Sequence, residues 1–199
     1  MATKELKNKE KILLHICCGV CATYVVEKLQ SQFEVIGFFY NPNIHPESEY
    51  LARKEAAFKL AEISNTPLIV PPYQPEEYFN ALEVFKNPVE VFSETENGFF
   101  YITSQKRCPV CYKIRLEKTA QYAFASKIKY FTTTLLISPY QNHQLINQIS
   151  QNIAQRLGLE YYSDNFQEGF YQSKALAKEY DLYRQKYCGC IFSKKDAGR

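Results

Sequence analysis

A three-layer α/β domain with a mainly parallel sheet is the fold predicted here, from three observations. Short apolar runs of strand length, KILLHI at 11–16 and FEVIGFFY at 33–40 among them, alternate with longer stretches of helical spacing. Breaker-rich loops such as NPNIHP separate them. The 199 residues suffice for one hydrophobic core and leave little room for a second, so residues 1–199 are expected to form one domain. Alternation of this kind lays helices over both faces of a sheet, which is the Rossmann-like, HUP-type class.

The elements follow in order. A charged lead, residues 1–10, is expected to be flexible. KILLHI reads as a buried strand, and GVCATYVVEKLQSQ at 19–32 follows as a helix with Val20, Tyr24 and Leu29 at helical spacing. FEVIGFFY is the second strand, and residues 46–63 form a helix opened by Pro46, a residue suited to a first turn. TPLIVPP gives a short third strand closed by prolines. Residues 73–107 are less regular and read as an excursion that could cover a site. From Cys108 a long helix is predicted through about 127, then a strand near KYFTTT, a turn at SPYQN and a helix over about 142–157 with Gly158 as its cap. A last helix near 173–182 leads to a cysteine-bearing tail.

Hydrophobic residues are 46% and charged residues 23%, and no apolar run is long enough to span a bilayer, so no membrane partner is expected. The N-terminal MATKELKNKE has no export signature, which points to the cytoplasm. In that compartment persistent structural disulfides are rare, so the seven cysteines read as metal-binding or redox residues. The net charge of +3 permits an anionic partner without demanding one.

The cysteines fall into three groups: HICCGVC at 15–21, CPVC at 108–111 and CGC at 188–190. The first lies where strand one passes into a helix, the place where α/β sheets bind ligands. The second is predicted to open a helix in the same way, and helix N-termini favour thiolates. Adjacent cysteines plus a CxxC supply four thiolates, the complement of a cubane iron-sulfur cluster, although the same ligands could build a structural zinc site. Zinc would leave three cysteines unexplained. Cys188 and Cys190 could close a strained, labile disulfide that stores two electrons, or join Cys21 around a second metal ion. The sequence leaves both open.

HICCGVC, CPVCYKIRLEKTA, FTTTLLISPYQNH and LYRQKYCGC, in this order over about residues 11–193, together resemble the cobalamin-independent epoxyqueuosine reductase family, QueH. The resemblance implies an iron-sulfur oxidoreductase that reduces epoxyqueuosine to queuosine at the wobble position of tRNA, the last step of queuosine biosynthesis. It implies a 4Fe-4S cluster on Cys17, Cys18, Cys108 and Cys111, with Cys188 and Cys190 as a redox-active pair. Spacing alone admits Cys21 to the cluster in place of Cys17 or Cys18.

Deoxygenating an epoxide requires two electrons and two protons, whereas a 4Fe-4S cluster passes electrons singly. A second redox group is therefore expected at Cys188, Cys190 and Cys21, either as thiols or around an adjacent mononuclear iron acting as a Lewis acid. Candidate proton donors or pocket residues are His15, His143, Tyr140 and Asp164. Candidate tRNA contacts are Arg107, Arg115, Arg184 and Lys186, basic residues beside the cysteine motifs. The electron donor is not named by the sequence. Two rivals stand beside this reading: a zinc-stabilised RNA-binding module, and a tRNA-thiolating ATP pyrophosphatase, whose phosphate loop is replaced here by ICCGVC.

Overall fold

Ile12, Leu13 and Leu14 have no solvent-exposed surface in the computed structural model, which describes residues 9–83 and 103–198. They belong to β1 (Lys11–His15), a strand covered on both faces, which is why its sequence is a continuous apolar run. Four more strands complete a wholly parallel sheet: β2 (Glu34–Phe38), β3 (Leu68–Ile69), β4 (Tyr130–Thr133) and β5 (Glu160–Tyr161). Their order is β3-β2-β1-β4-β5, with Leu13 in register with Ile36 on one side and Phe131 on the other.

Seven helices surround the sheet among the described residues: α1 (Gly19–Gln30), α2 (Glu47–Ile63), α3 (Pro75–Leu82), α4 (Ser104–Ala125), α5 (His143–Leu157), α6 (Phe170–Glu179) and α7 (Ile191–Asp196). Helix α1 packs with α2 and α6 on one face, while α4 packs with α3 and α5 on the other. The chain winds outward from β1 in both directions, so the gap between the C-terminal ends of β1 and β4 is the topological switch point, where α/β sheets open a crevice.

The predicted α/β class is the observed one, and the strand at 130–133 and the helix capped by Gly158 in a left-handed turn (φ 67°) fall where expected. Four local expectations are corrected. Helix α4 begins at Ser104, so CPVC lies one turn inside it rather than opening it; the amides of Lys106 and Arg107 already donate to the Thr103 carbonyl. The helix expected at 173–182 runs from 170 to 179, after a 3-10 turn at Phe166–Gly169. Strand β5 and helix α7 are absent from the sequence expectation, and both are too short to show a period. Residues 1–8 of the expected flexible lead and residues 84–102 of the 73–107 excursion lie outside the described residues.

At Gly19 helix α1 approaches α2 so closely that a Cβ would stand 2.7 Å from the Ala56 carbonyl oxygen. That neighbour is backbone and cannot turn aside. Gly19→Ala is expected to destabilise the fold by about 1–3 kcal/mol, the usual cost of overpacking, read as a lowered denaturation midpoint. An unchanged midpoint would show that the two helices can slide apart freely.

Candidate active site

The turn from β1 into α1 carries the first cysteine group. Cys18 is the N-cap of α1, its Sγ accepting the Cys21 amide at 3.3 Å. This cap folds the turn so that the Sγ atoms of Cys17, Cys18 and Cys21 all lie within 4.8 Å of one another, a group that could hold a metal ion. Cys17 and Cys18 are 3.8 Å apart. From the end of β4, Thr134 fixes Cys17 twice: its hydroxyl accepts the Cys17 amide at 3.0 Å and donates to the sulfur at 3.2 Å. Gln185, from the C-terminal tail, donates to Cys18 Sγ at 2.9 Å and reaches Cys21 Sγ at 3.8 Å.

These contacts divide the acidity of the triad. Hydrogen bonds from Cys18, Cys21 and Thr134 hold the Cys17 thiol well below the usual range, whereas burial raises Cys18 and hydrogen bonding to Cys17 and Cys18 raises Cys21. Cys17 is thus the most acidic of the three, and a metal ion bound here would displace their protons.

Of the other four cysteines, Cys111 and Cys190 share a small buried cluster with Tyr78, Leu82 and Phe192. Burial pushes Cys108 up to about 11, and it raises Cys111 as well. The expected helix-terminus depression of the CPVC thiols is absent, because they sit inside α4 and are desolvated. Arg115, a helical turn beyond Cys111, is buried close enough to interact with Cys111, Cys188 and Cys17 when any of them is ionised; it donates through Nε to the Cys111 carbonyl at 3.1 Å and buries Nη2 without a hydrogen-bond partner among the described residues.

All seven cysteines are free thiols, so of the two alternatives for Cys188 and Cys190 the disulfide is not supported. Their side chains serve different neighbours. Cys190 caps α7, accepting the Ser193 amide at 3.3 Å, and is buried beside Tyr78, Cys111 and Phe192. Cys188 faces the cavity, where Gln141 approaches its sulfur at 3.8 Å. Gly189 between them has φ 130°, a backbone that side-chain-bearing residues rarely adopt.

A cavity of about 710 Å³ opens over this centre, within the range of small-molecule sites. Cys17, Cys21 and Cys188 line it, as do Arg53 and Arg115. Of the proton donors considered, Tyr140 lines it as well. His15 does not: it is fully buried under the sheet end, bound to Thr133 Oγ1 at 2.9 Å and the Tyr40 carbonyl at 3.2 Å, and burial pushes its pKa down to about 3, leaving the ring neutral. His143 is tied to the Ser138 carbonyl at 2.8 Å, and Asp164 to Lys28 at 3.0 Å. Of the RNA contacts considered, Arg184 and Lys186 line the cavity near its opening, but Arg107 and Arg115 are buried, Arg107 in an ion pair with Asp196. Buried guanidinium groups cannot meet an RNA backbone at the surface.

Sequence reasoning missed Arg53, Thr134, Gln185 and Lys174. Thr134 and Gln185 lie within the quoted motifs FTTTLLISPYQNH and LYRQKYCGC and could have been read there. Arg53 had no signal, since one arginine on a helix is ordinary until its burial is known.

The family described as Epoxyqueuosine reductase QueH matches residues 12–196. The chain is 35% identical over 196 residues to Epoxyqueuosine reductase QueH of Acinetobacter baylyi, covering 96% of this chain and 84% of that one. It is 36% identical over 184 residues to the protein of the same name from Dehalococcoides mccartyi, covering 92% of each. Among solved structures, a predicted subunit of a tRNA methyltransferase from Methanocaldococcus jannaschii superposes with a TM-score of 0.51 at 12% identity, over 85% of this chain and 76% of that one. That likeness concerns the fold alone.

Proposed function

The chain belongs to the epoxyqueuosine reductase QueH family, and from this premise we propose how it reduces epoxyqueuosine to queuosine in tRNA. The observation that carries the reading is the thiol-lined cavity at the β1/β4 switch point, with Cys17, Cys18 and Cys21 within 4.8 Å of one another. The donor set suits an iron-sulfur group: soft thiolates, with no carboxylate among the residues lining the cavity. The buried, unpartnered Nη2 of Arg115 supports the same fit, since a guanidinium in the lining of this cavity beside Cys17, Cys21 and Cys188 calls for negative charge.

In this proposal Cys17, Cys18, Cys108 and Cys111 hold a 4Fe-4S cluster, and Cys21, Cys188 and Cys190 form a second redox or metal-ligating group, able to host an adjacent iron. Such centres, when bound, supply electrons and Lewis acidity to the epoxide oxygen. The balance is two electrons and two protons consumed, both C–O bonds of the epoxide broken, one C=C formed and one water released. An external donor supplies the electrons. The protein's own part is positional. Thr134 and Gln185 orient the first thiols, Arg115 balances the charge of the sulfurs, and the cavity walls exclude bulk water from the nucleoside. Tyr140 is the one proposed proton donor that lines the cavity. The whole chain acts as a single catalytic domain in the cytoplasm; no described helix is long and apolar enough to cross a membrane.

The test is anaerobic incubation of epoxyqueuosine-bearing tRNA with the iron-loaded protein and a chemical reductant, without cobalamin, followed by nucleoside mass spectrometry. Conversion to a nucleoside lighter by one oxygen is the expected result. A loaded protein that leaves the epoxide intact would sink the reading, and zinc without labile sulfide in the anaerobically purified protein would favour the RNA-binding module instead. Cys21→Ala is expected to keep labile sulfide while losing turnover; loss of the sulfide would place Cys21 in the cluster.

A further inference from the structure

The most exposed large apolar side chains among the described residues are Tyr140 at 82% and Tyr171 at 79%, well ahead of the next, Phe124 at 59%. Both stand beside the cavity mouth. Tyr140 lies on the loop after β4, and Tyr171 in the first turn of α6. Phe170 joins them: its ring centroid is 6.1 Å from that of Tyr140 and 5.5 Å from that of Tyr171, edge to face in both cases. Lys174, on the same face of α6, holds its ammonium 4.2 Å over Phe170 and 5.6 Å from Tyr171. Tyr140, Phe170 and Lys174 line the cavity, together with Arg184 and Lys186.

Exposed rings ordered by a cation have no role in the core, because they bury too little surface to stabilise it. Rings alternating with cations, at a mouth without a carboxylate among its lining residues, fit a polyanion that carries flat aromatic groups. We propose that this rim is the docking surface for single-stranded RNA loop nucleotides. Tyr140 and Tyr171 stack on bases flanking the target nucleotide, which enters the cavity splayed from its loop, and Lys174 meets a backbone phosphate. The proposal rests on the tRNA reading above and names the residues by which the loop is gripped.

The experiment is fluorescence anisotropy of a labelled anticodon stem-loop RNA, with unmodified guanosine at the target position, against the full-length iron-loaded protein over a salt series. Tyr140→Ala and Tyr171→Ala are each expected to weaken binding about tenfold, the loss of one base stack, and to raise KM for tRNA with kcat kept for Tyr171→Ala. Tyr140→Phe keeps the ring and should bind as the parent does, whatever becomes of its turnover. Lys174→Gln should lower the slope of log affinity against log salt by about 0.7, one phosphate contact on a single strand. Variants that melt like the parent and bind RNA with parental affinity would overturn the proposal. So would rim variants that disturb only the KM for a protein reductant, which would assign the rim to a protein partner. A parent protein that grips the stem-loop through this rim but never deoxygenates tRNA would refute the proposed function and leave the rim assignment standing.

Discussion

Arg53→Met is expected to destabilise the protein by about 3–5 kcal/mol, the cost of breaking a buried ion pair from one side, and to remove turnover with it. Arg53 is nearly fully buried in α2. Its Nε binds Glu49 Oε1 at 2.8 Å, Nη2 binds the Tyr187 carbonyl at 2.9 Å, and Nη1 binds the Cys188 carbonyl at 3.0 Å. Glu49 also accepts the Tyr183 hydroxyl at 2.6 Å. One guanidinium therefore ties the tail that presents Cys188 to the helix beneath it. Without it a buried carboxylate loses its partner and two carbonyls lose their donor, so thermal unfolding should begin roughly 6–20 °C lower. Arg53→Met combined with Glu49→Leu should recover part of the stability, because no charge is then stranded, yet none of the turnover, because Cys188 stays untethered. A single variant that melts and turns over like the parent would show that other contacts hold the tail.

The second large effect is expected at Cys18, where structure and chemistry can be separated by one atom. Serine is a good N-cap, so Cys18→Ser should keep α1 and change stability by no more than about 1 kcal/mol. It should still lose labile sulfide and iron, and turnover should fall more than about 100-fold, since even residues that only support metal ligands contribute about 10- to 100-fold. Iron and sulfide assays on anaerobically purified protein, beside a melting curve, read both. A stable Cys18→Ser protein with its full complement of iron and sulfide would exclude Cys18 as a ligand.

The two residues differ in how far their local sequence reveals them. Cys18 stands in HICCGVC, at the end of an apolar run and the start of a helical one, so its place at a strand-to-helix turn is legible from its neighbours in the chain. The strands β1, β2 and β4 are legible for the same reason, since burial on both faces imposes a continuous apolar run that needs no knowledge of the partner strand. Gly158 announces its helix end because a left-handed cap favours glycine whatever surrounds it.

Arg53 is hidden from any such reading, because its role is fixed by carbonyls more than 130 positions away in the chain. Distance in sequence also explains the misread arginines: Arg107 and Arg115 stand beside a cysteine motif, but which face of α4 turns inward depends on what packs there. The Cys188–Cys190 pair meets the same limit. Their spacing allows a bond, but the capping of α7 by Cys190 and the turn at Gly189 send the two sulfurs to different neighbours.

Local chemistry thus determined the fold class and the strand-end location of the first cysteines, because periodicity, caps and ligand types act over a few residues, while the reaction was implied by the resemblance of four motifs to a family. Tertiary structure alone decided that Arg115 is buried within electrostatic reach of Cys17 and Cys188, and that Tyr140 meets Phe170, Tyr171 and Lys174 at one rim. Each of these depends on packing between elements far apart in the chain, and no short window of sequence contains both partners.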